Sequence, residues 1–272
     1  MKAPTNTNSR VIAQWIDPDG APIVVTLTGT TRVSRNNKTG DLLQVSITRS
    51  DQLPSVAARS GDDQSVCGSC RLRPSIAKPG SPRCYVKLWR GIDSVWKSIV
   101  ATGAAVTAIG DLLAIPGCRD ASRGHRRGRC IAERHTTGKP VGVRLGAYGD
   151  PGFIPIEIIQ SLCPPDRPRV RTGFTHRWRE IPIAYADFMM ASIDPVTHPD
   201  PAAARREANA AGWSTYRVRQ PGEQPLPGAI ECLHTASGGT MTCADCGVCS
   251  GSVSSKTGKR RAPINIEVPA LA

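Results

Sequence analysis

Residues 140–162 read PVGVRLGAYGDPGFIPIEIIQSL, and their reading decides the fold. The first half is a β-branched apolar run that stops at Gly149-Asp150-Pro151, a strand passing into a loop. The second half has its isoleucines at helical spacing, with Pro155 where a first helical turn tolerates proline. The same rhythm continues downstream. RVRTGFTHRW (169–178), ADFMMASIDP (186–195) and WSTYRVRQ (213–220) read as further strands. DPAAARREANAAG (200–212) reads as a helix that Asp200 caps, Pro201 opens and Gly212 closes. Strand and helix alternating at short spacing predict an α/β fold with a parallel sheet, a parallel (βα) barrel or partial barrel.

Working outward, residues 1–66 predict a β-rich N-terminal segment. RVIAQWI, PIVVTLTG and LLQVSITRS are strand-like runs parted by the turn signals DPDG and NNKTG. Residues 67–230 form the barrel-like core, and 231–272 a cysteine-rich segment with a closing strand. Leu88, Trp89, Ile92, Val95, Trp96 and Ile99 fall on one helical face, which predicts core tryptophans. No repeat is visible that would make a solenoid.

Parallel α/β folds place their chemistry in the loops at the C-terminal ends of strands. That rule selects Tyr148, Gly149 and Asp150 after the first of these strands, Thr175 and His176 after the second, and Asp194 after the third. It also selects Arg217 and Arg219 at the end of the fourth. Asp150 and Asp194 each precede proline, so plain turn chemistry is an equally available role for either. Arg144 and Arg217 lie inside strands, where a buried guanidinium requires a partner.

The chain has 272 residues and a net charge of +13, which favours a polyanionic partner, nucleic acid first. RDASRGHRRGRCIAERH (119–135) and KTGKRR (256–261) are the densest basic stretches. No run reaches the length that spans a bilayer, and MKAPTNTNSR lacks a signal core. A cytoplasmic location and no membrane partner are therefore expected. In that reducing compartment, 10 cysteines point to metal or redox chemistry ahead of disulfides.

The cysteines form two groups. Cys243, Cys246 and Cys249 follow one another at two-residue intervals in TCADCGVCSG (242–251), with Cys232 upstream. Four thiolates make a closed site for zinc or an iron–sulfur cluster, and His234 could replace one thiolate at zinc. Cys67, Cys70 and Cys84 are only three. Either one coordination position is open for chemistry, or a fourth donor comes from Cys118, His125, Cys130 or Cys163, or the two groups share one site. As individuals, Cys118, Cys130 and Cys163 read as buried thiols.

The landmarks CGSCRLRP, CYV, RLGAYGDP, TGFTHRW, MASIDP, GWSTYRV and TCADCGVCSG resemble those of phage- and plasmid-encoded cysteine-rich proteins. They cover residues 67–251, about two thirds of the chain. More distantly, the chain is similar to radical S-adenosylmethionine enzymes, which hold a [4Fe–4S] cluster on three cysteines. That resemblance implies a cluster on Cys67, Cys70 and Cys84. It implies S-adenosylmethionine against YGDPGFIP, with Tyr148, Gly149, Arg144 and Arg217 on the cofactor. Cys232, Cys243, Cys246 and Cys249 would then bind an auxiliary cluster. The spacing C-x2-C-x13-C departs from that family's C-x3-C-x2-C.

A second analogue is the deazaguanine-type transglycosylase, an α/β barrel with a zinc site of three Cys and one His. There Asp150 or Asp194 would be the nucleophile and the other the acid/base. In the iron–sulfur reading His176 and Asp194 face the substrate. A third reading is non-enzymatic: a nucleic-acid-binding protein with structural metal sites.

Overall fold

The computed structural model describes residues 8–30, 36–77, 84–109, 142–163, 170–194, 196 and 198–269. The basic stretch 119–135, with Cys118, His125 and Cys130 in and beside it, lies outside these residues.

The chain folds as a mixed α/β structure with two five-stranded sheets, each containing parallel strands. β1 (Ser9–Ile16), β2 (Pro22–Thr28) and β3 (Leu43–Arg49) form an antiparallel meander. The DPDG turn joins the first two, with Asp17 Oδ1 accepting from the backbone N–H groups of Asp19 and Ala21. β4 (Val143–Tyr148) joins β3 in parallel, and β5 (Arg171–Thr172) joins β4 in parallel. The second sheet runs β6-β7-β8-β10-β9, each neighbouring pair parallel: β6 (Phe174–Thr175), β7 (Met190–Ser192), β8 (Thr215–Val218), β9 (Ile230–Glu231) and β10 (Asn265–Val268).

The strand expected over 169–178 is thus divided between the two sheets. Residues 171–172 pair with β4 and residues 174–175 with β7, and Gly173 is the point of transfer. A Cβ there would lie 2.9 Å from Leu145 Cβ and 3.2 Å from Met189 Cβ, so only glycine lets the chain cross so closely. The closing strand expected near the C-terminus is β10. It inserts between β8 and β9, a long-range pairing that local pattern alone does not reveal.

Of the helices, α1 (Pro54–Ser60) and α2 (Gln64–Cys67) lie between β3 and the first cysteine group. α3 (Ile92–Val95) continues as a wider turn over Trp96–Val100. α4 (Ile156–Leu162) follows Pro155 and buries Ile159 and Leu162. α5 (Pro201–Ala210) is capped by Asp200, whose Oδ1 accepts from Ala203 N–H at 2.9 Å, and it buries Ala204 and Ala208. These faces close on Ile23, Val25, Ile47, Leu145 and Trp213 in one apolar core.

The helical face expected over 88–99 needs one correction. Leu88 and Ile99 are buried, and Trp96 donates from its indole to Arg49 O at 2.8 Å. Trp89, however, is 67% exposed. Leu88–Arg90 is a tighter 3-10 turn, and it points Trp89 away from the side that Leu88 occupies. Among the described residues no helix is long and apolar enough to cross a membrane.

Candidate functional site

The C-terminal ends of β4, β6 and β7 converge. β4 ends at Tyr148, and Gly149 follows at φ 78°, where a Cβ would strike Ile47 Cβ and O at 2.9 Å. The chain can therefore turn tightly against β3 only with glycine. That turn delivers Asp150, whose backbone N–H donates to Val66 O at 2.7 Å, fastening the strand end to α2 and so to Cys67.

The Asp150 carboxylate is buried and fully engaged. Oδ1 accepts from Gly152 N–H at 2.8 Å and Oδ2 from His176 N–H at 2.7 Å. It therefore caps a turn, as its Asp-Pro sequence suggests, and anchors the next strand end as well. Asp194, two residues beyond β7, is held in the same manner. Its Oδ1 accepts from Val218 N–H at 2.8 Å and its Oδ2 from Ser192 Oγ at 2.8 Å.

His176 sits between these carboxylates. Its Nδ1 is 3.7 Å from Asp150 Oδ2 and its Nε2 is 3.4 Å from Asp194 Oδ2. Burial works against the imidazolium, but the interactions with Asp150 and then Asp194 outweigh it and hold the His176 pKa well above its ordinary value. Burial likewise opposes the Asp194 carboxylate, and the His176 partner overcomes this and lowers its pKa. The arrangement is a cationic ring clamped by two acids, fixed at three strand ends.

The first cysteine group lies beside it. Cys67 ends α2, Cys70 N–H donates to Cys67 O at 3.3 Å, and Cys84 N–H donates to Leu72 O at 2.7 Å. Burial, followed by Asp63, Cys84 and Cys70, pushes the Cys67 thiol well up. Burial also raises Cys84, where Cys70 adds to the rise and His176 opposes it. Cys70 in turn favours the charged form of His176. The Tyr148 hydroxyl adjoins Cys67 and is raised first by burial and then by that thiol. Three thiols, a tyrosine and the His–Asp assembly thus share one neighbourhood.

Two residues that hold this group were not singled out from sequence. Arg73, inside CGSCRLRP, is buried and donates from Nε to Asp63 Oδ1 at 2.9 Å and from Nη1 to Gly68 O at 3.0 Å, with Nη2 2.8 Å from Asp63 Oδ1. Asp63 is buried too, and burial raises its pKa while Arg73 pulls it back. An arginine three residues after a C-x-x-C pair was the available signal.

The second group is built differently. Cys232 N–H donates to β10 at Glu267 O (2.8 Å), and its side chain packs in a small cluster with Met190, Ile266, Val268 and Cys249. α6 (Leu233–Ala236) follows. α7 (Cys243–Cys246) carries a reciprocal cap, in which Thr242 and Asp245 each accept from the other's backbone N–H, and it ends at Gly247 in the left-handed region. Cys243 N–H donates to Lys38 O at 2.8 Å.

Arg171 and Arg261 hold the loop beyond α7. Arg171 donates to Ser250 O at 3.0 Å and Val253 O at 2.6 Å, and Arg261 to Gly251 O at 2.9 Å and to Val248 O. Burial pushes Cys243 up to about 11 and drives Cys249 higher still, the latter also through Cys243, Cys232 and Cys246. His234 Nδ1 lies 2.8 Å from Met241 O.

The cysteines therefore fall into two sets: Cys67, Cys70, Cys84 and Cys232, Cys243, Cys246, Cys249. Tyr216 is within electrostatic range of Cys249, Cys232 and Asp194 alike, and its ring stacks on Phe174 at 3.8 Å between centroids. Among the described residues no cysteine is in a disulfide, and Cys163 is buried. Among the described residues, no three His, Cys, Asp or Glu side chains are arranged, as they stand, to hold a metal ion.

Of the arginines expected on a ligand, Arg217 is buried against Glu267 (3.0 Å) and Glu223, so partners within the chain account for its burial. Arg219 Nε is 3.8 Å from Glu267 Oε2. Arg144 donates to the Tyr85 hydroxyl at 2.9 Å.

No family model, curated protein or solved structure matches this chain.

Proposed function

We propose that this chain is a metalloenzyme whose reactive centre is Cys67, Cys70 and Cys84 beside His176, acting on nucleic acid or a nucleotide-derived substrate. The observation that carries the reading is the meeting of those three thiols with the Asp150–His176–Asp194 clamp at the ends of three parallel strands. That is where α/β folds place chemistry. On this reading the two sheets, joined through residues 171–175, are staves of one partial barrel.

The donor chemistry fits a soft or borderline metal. Buried neutral thiols are uphill to ionise, whereas a bound cation would stabilise the thiolates outright and reverse that order. Rotation about χ1 turns each sulfur without moving its backbone. The first set would hold a cluster with one position left open and supply one-electron chemistry when loaded. The second set would hold a closed centre that braces the C-terminal segment, with zinc as the alternative ion.

The chain's own residues do the rest. His176 presents an oriented ring that can hold a proton at either nitrogen, toward Asp150 or toward Asp194. Asp150 and Asp194 are positioning residues: both accept from backbone N–H groups, which fixes them and blunts them as nucleophiles. That gives the transglycosylase reading less support than the iron–sulfur one.

The test is anaerobic purification with iron, sulfide and zinc analysis. Broad absorption near about 400 nm, with about four irons lost in a C67S/C70S/C84S variant, is the expected result. Colourless protein with about one zinc, lost only in C243S/C246S, would overturn the iron–sulfur assignment.

A further inference from the structure

Aromatic residues are scarce in this chain, at 4%, yet two of them face solvent within one short segment. In CYVKLWR (84–90), Tyr85 and Trp89 are 68% and 67% exposed. Val86 and Leu88 turn inward, with Leu88 buried, while Lys87 and Arg90 are exposed. Tyr85 and Lys87 emerge from the irregular chain ahead of the 3-10 turn Leu88–Arg90, and Trp89 and Arg90 emerge from that turn. The one acidic side chain in residues 84–109, Asp93, is buried and accepts from Ser55 N–H at 3.0 Å.

The segment is anchored. Cys84 N–H is tied to Leu72 O, and the Tyr85 hydroxyl accepts from Arg144 Nη2. Its place also matters. Cys84 belongs to the first thiol set, and the Arg144 that holds Tyr85 lies on β4, the strand that ends at Tyr148 and delivers Asp150. A ring, a cation, a ring and a cation in succession, leading to the His176 centre, provide π faces and phosphate partners at once. In a duplex the base faces are already stacked on one another, so such rings serve only unpaired bases.

We infer that Tyr85, Lys87, Trp89 and Arg90 form a stacking platform that holds single-stranded nucleic acid beside the His176 centre. The inference rests on the nucleic-acid part of the function proposed above and specifies the strand form.

The experiment is fluorescence anisotropy with labelled oligothymidylate and oligouridylate, using the full chain. Y85A/W89A is expected to weaken binding by about fivefold or more per ring removed, with W89F close to the parent. K87A/R90A is expected to reduce the salt slope by about 1.4. Unlabelled duplex should compete poorly. The two oligomers distinguish a DNA from an RNA strand. Parent-like affinity in Y85A/W89A, or duplex competing as well as single strand, overturns the platform. So does the absence of binding in a chain that carries its metal, and that outcome leaves the enzyme reading standing. Ring-dependent binding in a chain without metal or turnover supports the platform and overturns only the enzyme reading.

Discussion

Replacing Arg73 with methionine should cost about 3–4 kcal/mol at pH 7, and the cost should shrink as the solution is acidified. Arg73 and Asp63 are both buried, and the guanidinium also binds Gly68 O. Burial already lifts the Asp63 pKa even with Arg73 in place. The pair is therefore no large source of net stability, but removing one partner strands the other, which typically costs about 3–5 kcal/mol. The structure sets a ceiling on that cost. A stranded Asp63 can always take up a proton, and doing so at pH 7 spans about three pH units from an ordinary Asp, or about 4 kcal/mol at 1.36 kcal/mol each. At pH 5 the same step costs about 1.5 kcal/mol. D63N/R73M carries no stranded charge, so it should recover most of the loss and show no such pH dependence. Urea denaturation followed by tryptophan fluorescence at both pH values measures this, with R49A at the exposed Arg49–Asp51 pair expected to cost under about 1 kcal/mol. An R73M penalty that is equal at pH 5 and 7, or a double variant no better than the single one, would refute the reasoning.

The remaining predictions are simpler. His198 is buried, and burial, then Arg179, lowers its pKa; its Nδ1 lies 3.2 Å from Arg179 Nη1. The folded pKa is below the unfolded one, so this contribution is complete above about pH 6.5 and is lost as pH falls through the lower folded value. Thermal melts at decreasing pH should show that decline, and H198N should flatten it. G173A should destabilise by about 1–3 kcal/mol, because its Cβ would meet Leu145 and Met189 at the strand transfer; a parent-like urea midpoint would show that the crossing has slack. D200A should cost about 1 kcal/mol through loss of the α5 cap, read as a fall in melting temperature, and D200N should retain most of it. R261M should speed the reaction of Cys249 with an aromatic disulfide reagent, because Arg261 holds the loop around it; an unchanged rate would place that clamp elsewhere.

Much of this organisation was legible where chemistry is local. DPDG, Asp200-Pro201 and Pro155 mark a turn, a helix cap and a helix start, because each acts through its own backbone. Strand ends predicted from β-branched runs brought Asp150, His176 and Asp194 to one place, since the side chain just past a parallel strand has little freedom in direction. The division of residues 171–175 between two sheets was not legible. It depends on how closely Leu145 and Met189 approach Gly173, which is a property of three segments together. Trp89 departs from its expected face for a related reason: helical spacing assigns a face only if the helix is regular, and a 3-10 turn at Leu88–Arg90 rotates that face by the second residue.

The two cysteine sets show how far motif spacing reaches. TCADCGVCSG is preorganised by groups that do not depend on any ion: a capping box, a left-handed Gly247 and two arginines on loop carbonyls. A segment held so firmly before coordination has little ordering left to do upon binding, which suits a closed, supporting centre. The first set is anchored as well, by the Asp63–Arg73 pair, by Arg73 on the carbonyls of Gly68 and Gly61, and by the backbone bonds of Cys67, Cys70 and Cys84, but its neighbours are a charged histidine, two fixed carboxylates and a tyrosine. Titratable groups concentrate where a structure must tolerate changes of charge. The difference in neighbours, more than the count of cysteines, is what the proposed function uses to tell the sets apart. On that proposal chemistry falls to Cys67, Cys70 and Cys84, and the buried Asp63–Arg73 pair is the part of the scaffold whose loss should reach it most directly.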